Sequence, residues 1–134
     1  MSAARLALYA VGFMLVIGSA AAADRPEPPL SAKAAKLLEG RMAGKPVNCL
    51  SLPRVSSSTI VDQTAIIYKV SNRLWYVNRP DGGSCPALQP QRTLVTHLTM
   101  SELCDLDIVR VVDMQGPAME YGSCGLGKFV PYTK

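Results

Sequence analysis

Hydrophobic and polar positions change their pattern twice along the chain. Residues 6–23 carry no charged side chain, and the large apolar residues concentrate between Leu6 and Ile17. Residues 24–44 begin with three prolines in seven positions and continue with good helix formers. From Pro46 onward, short β-favouring runs alternate with Ser-, Asn-, Gly- and Pro-rich breaks. The pattern predicts three parts: a leader at 1–23, a Pro-rich tether with a short helix at 24–44, and a β domain at 45–134.

The β-favouring runs predict an all-β domain, a small antiparallel barrel or sandwich of five to seven strands preceded by a short N-terminal helix. The connection Ser71-Asn72-Arg73 predicts a hairpin in which Asn72 tolerates a left-handed conformation. Residues 79–83 are expected to form a turn, and Thr99-x-x-Glu102 has the form of a capping box, which predicts one helical turn carrying Leu103 and Cys104. The runs are 46–52, 58–61, 64–70, 74–78, 93–98, 107–113 and 127–132.

Ser31 is a suitable N-cap for a helix that Gly40 or Gly44 would stop. Its apolar positions fall on one face at spacings of four, namely Ala34, Leu38 and Met42. That face either packs on the domain or binds something else, and packing is the favoured interpretation.

The leader has the order of a bacterial secretory signal: Arg5, an apolar stretch, then Ala21-Ala22-Ala23 before Asp24. An uncleaved anchor is the alternative, because 18 residues of helix reach about 27 Å. The small residues before the cleavage site shorten the apolar stretch and favour cleavage. The protein is therefore expected in the periplasm or outside the cell, without stable membrane insertion after cleavage.

The distribution of charge argues against one class of function, nucleic-acid binding. The chain has a formal net charge of +4, and loss of Arg5 with the leader lowers it to +3. The basic residues are scattered, whereas nucleic-acid binding needs a focused basic surface. Nucleic acid is therefore not an expected partner.

The four cysteines are candidates for a disulfide framework: Cys49, Cys85, Cys104 and Cys124. Their separations of 36, 19 and 20 match neither a zinc knuckle nor a Cys-x-x-Cys redox pair. An even count in an exported chain predicts two disulfides and no metal site. Three pairings remain open, and we favour Cys85–Cys104 with Cys49–Cys124, because the second pair would join the first core strand to the last.

Catalytic residues are few. His97 is the single histidine, and we expect it half-buried in a strand beside Thr93 and Val95. Asp105 and Asp107 would share one face of a strand, where paired carboxylates bind a cation or transfer protons. The run Ser56–Ser58 lacks a nucleophile elbow, and the glycine-rich stretch 122–127 precedes no helix and is expected to let the chain turn around Cys124. No cofactor is predicted.

Aromatic residues offer the remaining candidate surface. Trp75 and Tyr76 point to opposite faces of a strand, so one is expected in the core. The other, together with Tyr68 or another neighbour in the hairpin, either stacks on a ligand or pairs across strands.

Spaced motifs of the domain resemble a family of short exported Gram-negative proteins of unknown function with four cysteines. The resemblance implies a secreted, cysteine-containing small domain and transfers no functional residue. The motifs that carry it are Asn48-Cys49-Leu50, residues 61–68, Tyr76-Val77-Asn78, Cys85-Pro86-Ala87-Leu88, residues 103–107, and residues 124–131.

The sequence therefore predicts an exported, non-enzymatic binding or interaction module of the bacterial cell envelope, whose partner is an unidentified protein or envelope ligand. Two alternatives remain. A secreted inhibitor of a hydrolase such as a lysozyme would need residues 79–92 as a protruding rigid loop. A small enzyme would need His97, Asp105 and Asp107 to converge in one cleft.

Overall fold

A computed structural model describes residues 29–134. The predicted signal peptide at 1–23 and the start of the tether lie outside these residues. The elements are α1 Ala32–Leu37, β1 Met42–Ala43, β2 Cys49–Ser51, a 3-10 turn Leu52–Arg54, β3 Ser57–Asp62, β4 Ala65–Lys69, β5 Leu74–Pro80, β6 Thr93–Val95, β7 Glu102–Cys104, β8 Ile108–Asp113 and β9 Met119–Thr133.

The strands form an antiparallel, nearly closed barrel-like sheet, which confirms the all-β class. The main sheet has seven strands in the order β3-β4-β5-β9-β8-β6, with β1 added beside β9. The strands β2 and β7 form a separate two-stranded ribbon. None of the helices among residues 29–134 is long and apolar enough to cross a membrane.

Strand β9 organises the sheet because its 15 residues pair with three other strands, β8, β5 and β1. Its first half pairs with β8, from Met119 opposite Asp113 to Gly125 opposite Ile108. Its second half pairs with β5, as far as Thr133 opposite Leu74. The expected turn around Cys124 is therefore wrong: the glycine-rich stretch runs through a continuous strand.

The barrel interior holds the main core, in which the largest fully buried side chain is Phe129. Its ring meets Tyr68 edge to face, with 5.8 Å between the ring centroids. The other buried members are Leu50, Ile60, Ile66, Cys85, Leu88, Leu103, Val109, Val111, Cys124 and Leu126.

Helix α1 covers the outer face of β3, β4 and β5. Ala34 and Leu38 are buried there against a second cluster that includes Val61 and Ile67. The packing interpretation of this helix is thus confirmed, and so is its N-cap, since the Ser31 hydroxyl accepts a hydrogen bond from the Ala34 backbone N–H. Met42 does not continue the face, because the helix ends before Gly40 and Met42 lies exposed in β1.

The structure corrects two local predictions. The expected helical turn after Thr99 is wrong, because residues 102–104 form β7 and pair with β2. Long-range strand pairing has overridden the local capping signal there.

The hairpin between β4 and β5 is confirmed, but Ser71 organises it by accepting hydrogen bonds from the backbone N–H groups of Arg73 and Leu74. Asn72 does not adopt a left-handed conformation.

Candidate functional site

All four cysteines form disulfides, but the favoured pairing is wrong. The pairs are Cys49–Cys104 and Cys85–Cys124. Cys49 lies directly opposite Cys104 in the β2–β7 ribbon. Because this ribbon is separate from the main sheet, Cys49 does not meet the last strand as predicted. Cys85 instead reaches the interior from the loop after β5 and joins Cys124 in β9.

His97 lies exposed beyond the end of β6, so the expected half-buried strand position is wrong. Its Nε2 is 3.4 Å from Nη1 of Arg110, which also forms an exposed ion pair with Glu120. A hydrogen bond from Arg110 lowers the pKa of Glu120. His97 therefore sits beside a cation on the outer surface.

Asp105 and Asp107 flank a turn and do not share a strand face. Between them Leu106 has a positive φ of 69°, and β8 begins only at Ile108. The Asp107 carboxylate accepts a hydrogen bond from the backbone N–H of Cys104 at 2.7 Å. That bond gives Asp107 a structural role in closing the turn.

The structure does not bring His97, Asp105 and Asp107 together as a metal-binding set. Among residues 29–134, the group of His, Cys, Asp or Glu ligand atoms within 4.8 Å of one another consists of Cys49, Glu102 and Cys104. The two cysteine sulfurs are bonded to each other, so they offer no thiolate to a metal ion.

Residues 79–92, the loop that an inhibitor would insert into an active site, are anchored to the barrel at the middle of the segment. Cys85 and Leu88 are buried, and the Cys85 backbone N–H donates to the Gln63 carbonyl at 2.7 Å. Exposed backbone remains near Asp81 and around Pro90 and Gln91. Residues 79–92 therefore do not project as one loop.

The aromatic side chains divide between the two faces of the sheet. Tyr68 is buried, and its hydroxyl has no hydrogen-bond partner among the described residues. Burial raises the pKa of Tyr68, so the hydroxyl stays protonated. Trp75 lies on the outer face, where the Arg41 guanidinium stacks 3.6 Å from the ring centroid and Lys69 lies at 4.5 Å. These cations cover the exposed aromatic face for which the sequence left ligand stacking and cross-strand pairing open.

One end of the barrel contains a cavity of about 220 Å³ beside the β2–β7 ribbon. Tyr76 in β5 and Val70, which follows β4, line the cavity, and Arg54 and Glu102 add opposite charges to its lining. Cys49, which is exposed and disulfide-bonded to Cys104, also lines the cavity. The cavity carries polar groups but no cluster of catalytic residues.

A larger groove of about 320 Å³ lies between strands β3 and β6, the two edges of the main sheet. Within residues 29–134, each of these strands pairs on one side only, with β4 and with β8 respectively. The groove is therefore the seam at which the barrel fails to close. Its lining combines apolar and hydroxyl side chains with one cation: Ser58, Thr59, Ile60, Pro90, Arg92, Thr93 and Leu94.

Arg92 is held in a defined orientation at this groove. Its Nη1 donates to the Ala87 carbonyl at 2.8 Å, and its guanidinium carbon lies 3.7 Å from the ring centroid of Tyr121. No carboxylate of residues 29–134 forms a salt bridge with it. In the sequence, Arg92 is one of the scattered basic residues and the last residue of the segment 79–92, and no local motif marks it as a binding residue. The pairing of β6 with β8 creates this setting.

Comparisons with protein-family models, with curated proteins and with solved structures found no match. The resemblance to short exported Gram-negative proteins therefore stays a prediction.

Proposed function

We propose that this protein is an exported, non-enzymatic binding module of the bacterial cell envelope, and that its partner binds in the groove between β3 and β6. The observation that carries the proposal is the open seam of the barrel. Unpaired strand edges expose backbone donors and acceptors, and natural proteins commonly cover or block such edges. Here both edges border one groove.

Two further features support export. The chain carries two disulfides in a small β domain, which is typical of proteins that work in an oxidising compartment. The Ala-x-Ala site before Asp24 is suited to signal peptidase. Together they favour the periplasm or the cell exterior.

The proposal omits catalysis because the candidate residues occupy structural positions. His97 contacts Arg110 on the outer surface, and Asp107 closes a turn. The hydrolase-inhibitor alternative depended on a protruding loop, whereas Cys85 and Leu88 are buried in the interior. The groove combines two strand edges with Arg92, which has no carboxylate partner among residues 29–134.

Photo-cross-linking in intact cells tests the proposal. A photoreactive phenylalanine analogue replaces Thr59 on the exposed edge of β3 in one strain, and Lys36 on the exposed surface of α1 in the control strain. We expect a discrete adduct from position 59 and none from position 36, read by mass shift and peptide sequencing. Equal adducts at both positions, or none at 59, would overturn the groove as the binding site.

A further inference from the structure

The two edges of the groove present backbone to an extended ligand. Strand β3 contributes residues 57–62, and β6 contributes residues 93–95. Along a strand edge, N–H and C=O groups of alternate residues face outward and can form a ladder with an added strand. The shorter edge, β6, has three residues and so offers about 10 Å of ladder.

The side chains of the groove favour a ligand with an apolar face. Ile60 belongs to the main core, and Leu94 packs against it, so both expose the edge of that core to the groove. Ser58, Thr59 and Thr93 are exposed around them. Thr59 and Thr93 lie on the face opposite Ile60 and Leu94, while Ser58 shares the face of Ile60. An extended peptide places alternate side chains on opposite sides, which matches an apolar face on one side and threonine hydroxyl groups on the other.

The positive charge of Arg92 favours a ligand that carries an anionic group. The stack on Tyr121 and the bond to Ala87 fix the guanidinium, and its other N–H groups remain available. A fixed guanidinium without an anionic partner suits a planar carboxylate, which it can bind through two parallel hydrogen bonds.

We propose that the groove binds an extended peptide as an added strand between β3 and β6, and that Arg92 binds a carboxylate of that peptide. This inference rests on the proposed function and names its ligand class. The ligand is a segment of about four to six residues with alternating apolar side chains and one acidic residue.

Selection from a phage-displayed library of random heptapeptides tests the ligand class. The bait is the exported protein purified with both disulfides intact, and parallel selections use Arg92→Gln and, as a matched control, Arg73→Gln in the exposed β4–β5 hairpin. We expect wild type and Arg73→Gln to enrich peptides with alternating apolar residues and an Asp or Glu. Arg92→Gln should lose the acidic preference. Thermal unfolding of each bait confirms that the variants are folded.

A double-mutant cycle then tests whether the carboxylate of the peptide binds Arg92. Replacing the acidic residue of a selected peptide by its amide should weaken binding to wild type about tenfold, measured by fluorescence anisotropy. The same replacement should leave binding to Arg92→Gln nearly unchanged. An equal loss on both proteins would overturn the role of Arg92.

Backbone methylation separates strand addition from side-chain binding. Two versions of the selected peptide carry N-methyl groups on alternate amides, in opposite registers. Each register should weaken binding at least about tenfold, because a strand between two edges donates alternate N–H groups to β3 and to β6. A loss in only one register, or in neither, would overturn strand addition between the two edges.

The outcomes distinguish this inference from the function it rests on. If the library yields no enriched peptide while the cross-link from position 59 still forms, the peptide inference is wrong and the binding groove stands. If neither an enriched peptide nor the cross-link appears, both the peptide inference and the proposed binding groove are wrong.

Discussion

At the scale of single residues, the junction of β5 and β9 shows how a polar core residue stabilises an irregular strand. The register between the two strands shifts between Asn78 and Pro80. The fully buried Asn78 amide donates to the Gly127 carbonyl at 2.6 Å and accepts from the Gly127 N–H at 3.3 Å. Both backbone groups that the shift leaves unpaired are thereby satisfied, as burial requires.

Replacement of Gly127 by alanine should destabilise the domain. A Cβ at this position would lie 2.4 Å from the carbonyl oxygen of Arg79, so the backbone of β5 or β9 would have to move. We expect a loss of roughly 1–3 kcal/mol in the free energy of unfolding, measured by urea titration.

Gly125 provides the matched control in the same strand. There a Cβ would meet Asp81 at 3.7 Å, an ordinary contact. Gly125→Ala should change the free energy of unfolding by less than about 1 kcal/mol. Equal losses in the two variants would show that close approach to Arg79 is not the reason for glycine at position 127.

At the scale of elements, α1 is joined to the sheet through one carboxylate. Asp62, at the end of β3, accepts hydrogen bonds from the Ser31 hydroxyl and from the Thr64 hydroxyl and backbone N–H. Burial raises the pKa of Asp62, but these hydrogen bonds and the charge of Lys33 lower it by more, so the pKa lies below its usual value. The same hydroxyl of Ser31 caps the helix.

The attachment of α1 should weaken in acid. Because folding lowers the pKa of Asp62, its contribution to stability is complete above the unfolded value of about 3.9 and is lost as the pH falls through the folded value. We expect Asp62→Asn to lose less stability than wild type between pH 6 and pH 3, measured by urea unfolding. Asp81→Asn, in an exposed turn, is the control. An identical pH dependence in wild type and Asp62→Asn would contradict this account.

The disulfide of the β2–β7 ribbon is more accessible to solvent than the disulfide of the barrel. Cys49 is exposed, whereas Cys85 and Cys124 are 8% and 3% exposed. Leu50 and Leu103, the middle residues of the two ribbon strands, are buried in the main core and hold the ribbon there.

Limited reduction should therefore open Cys49–Cys104 first. Peptide mapping under non-reducing conditions should recover Cys49 with Cys104 and Cys85 with Cys124. Mild reductant should then expose the thiols of the first pair before those of the second, because solvent reaches Cys49. Replacing the first pair by serine should cost about 4 kcal/mol, as expected for closure of a 55-residue loop. Faster reduction of Cys85–Cys124 would contradict the burial described here.

At the scale of the whole molecule, residues 1–23 are predicted to direct the domain out of the cytoplasm. We expect the exported protein to begin at or within a few residues of Asp24, because Ala21 and Ala23 occupy the small-residue positions that signal peptidase requires. Intact mass of protein from the envelope fraction measures this. A mass that retains residues 1–23 would favour an uncleaved anchor instead.

Local pattern in the sequence was sufficient for the fold class and for the bounds of four of the nine described strands. The β-favouring runs placed β3, β4, β5 and β8 within two residues of their observed ends, and Ser31 marked the start of α1. These features depend on interactions between residues close in sequence, namely side-chain alternation, β-branched content and helix capping. Cysteine count and compartment likewise predicted that all four thiols pair.

Only the tertiary structure decided which distant residues meet. The pairing of β2 with β7 placed Cys49 opposite Cys104 and replaced the expected helical turn by a strand. Separation of the β3 and β6 edges created the groove and set Arg92 beside it. Strand order depends on the packing energy of the whole core. The local alternation of apolar and polar residues therefore does not specify which strand edges pair and which remain open.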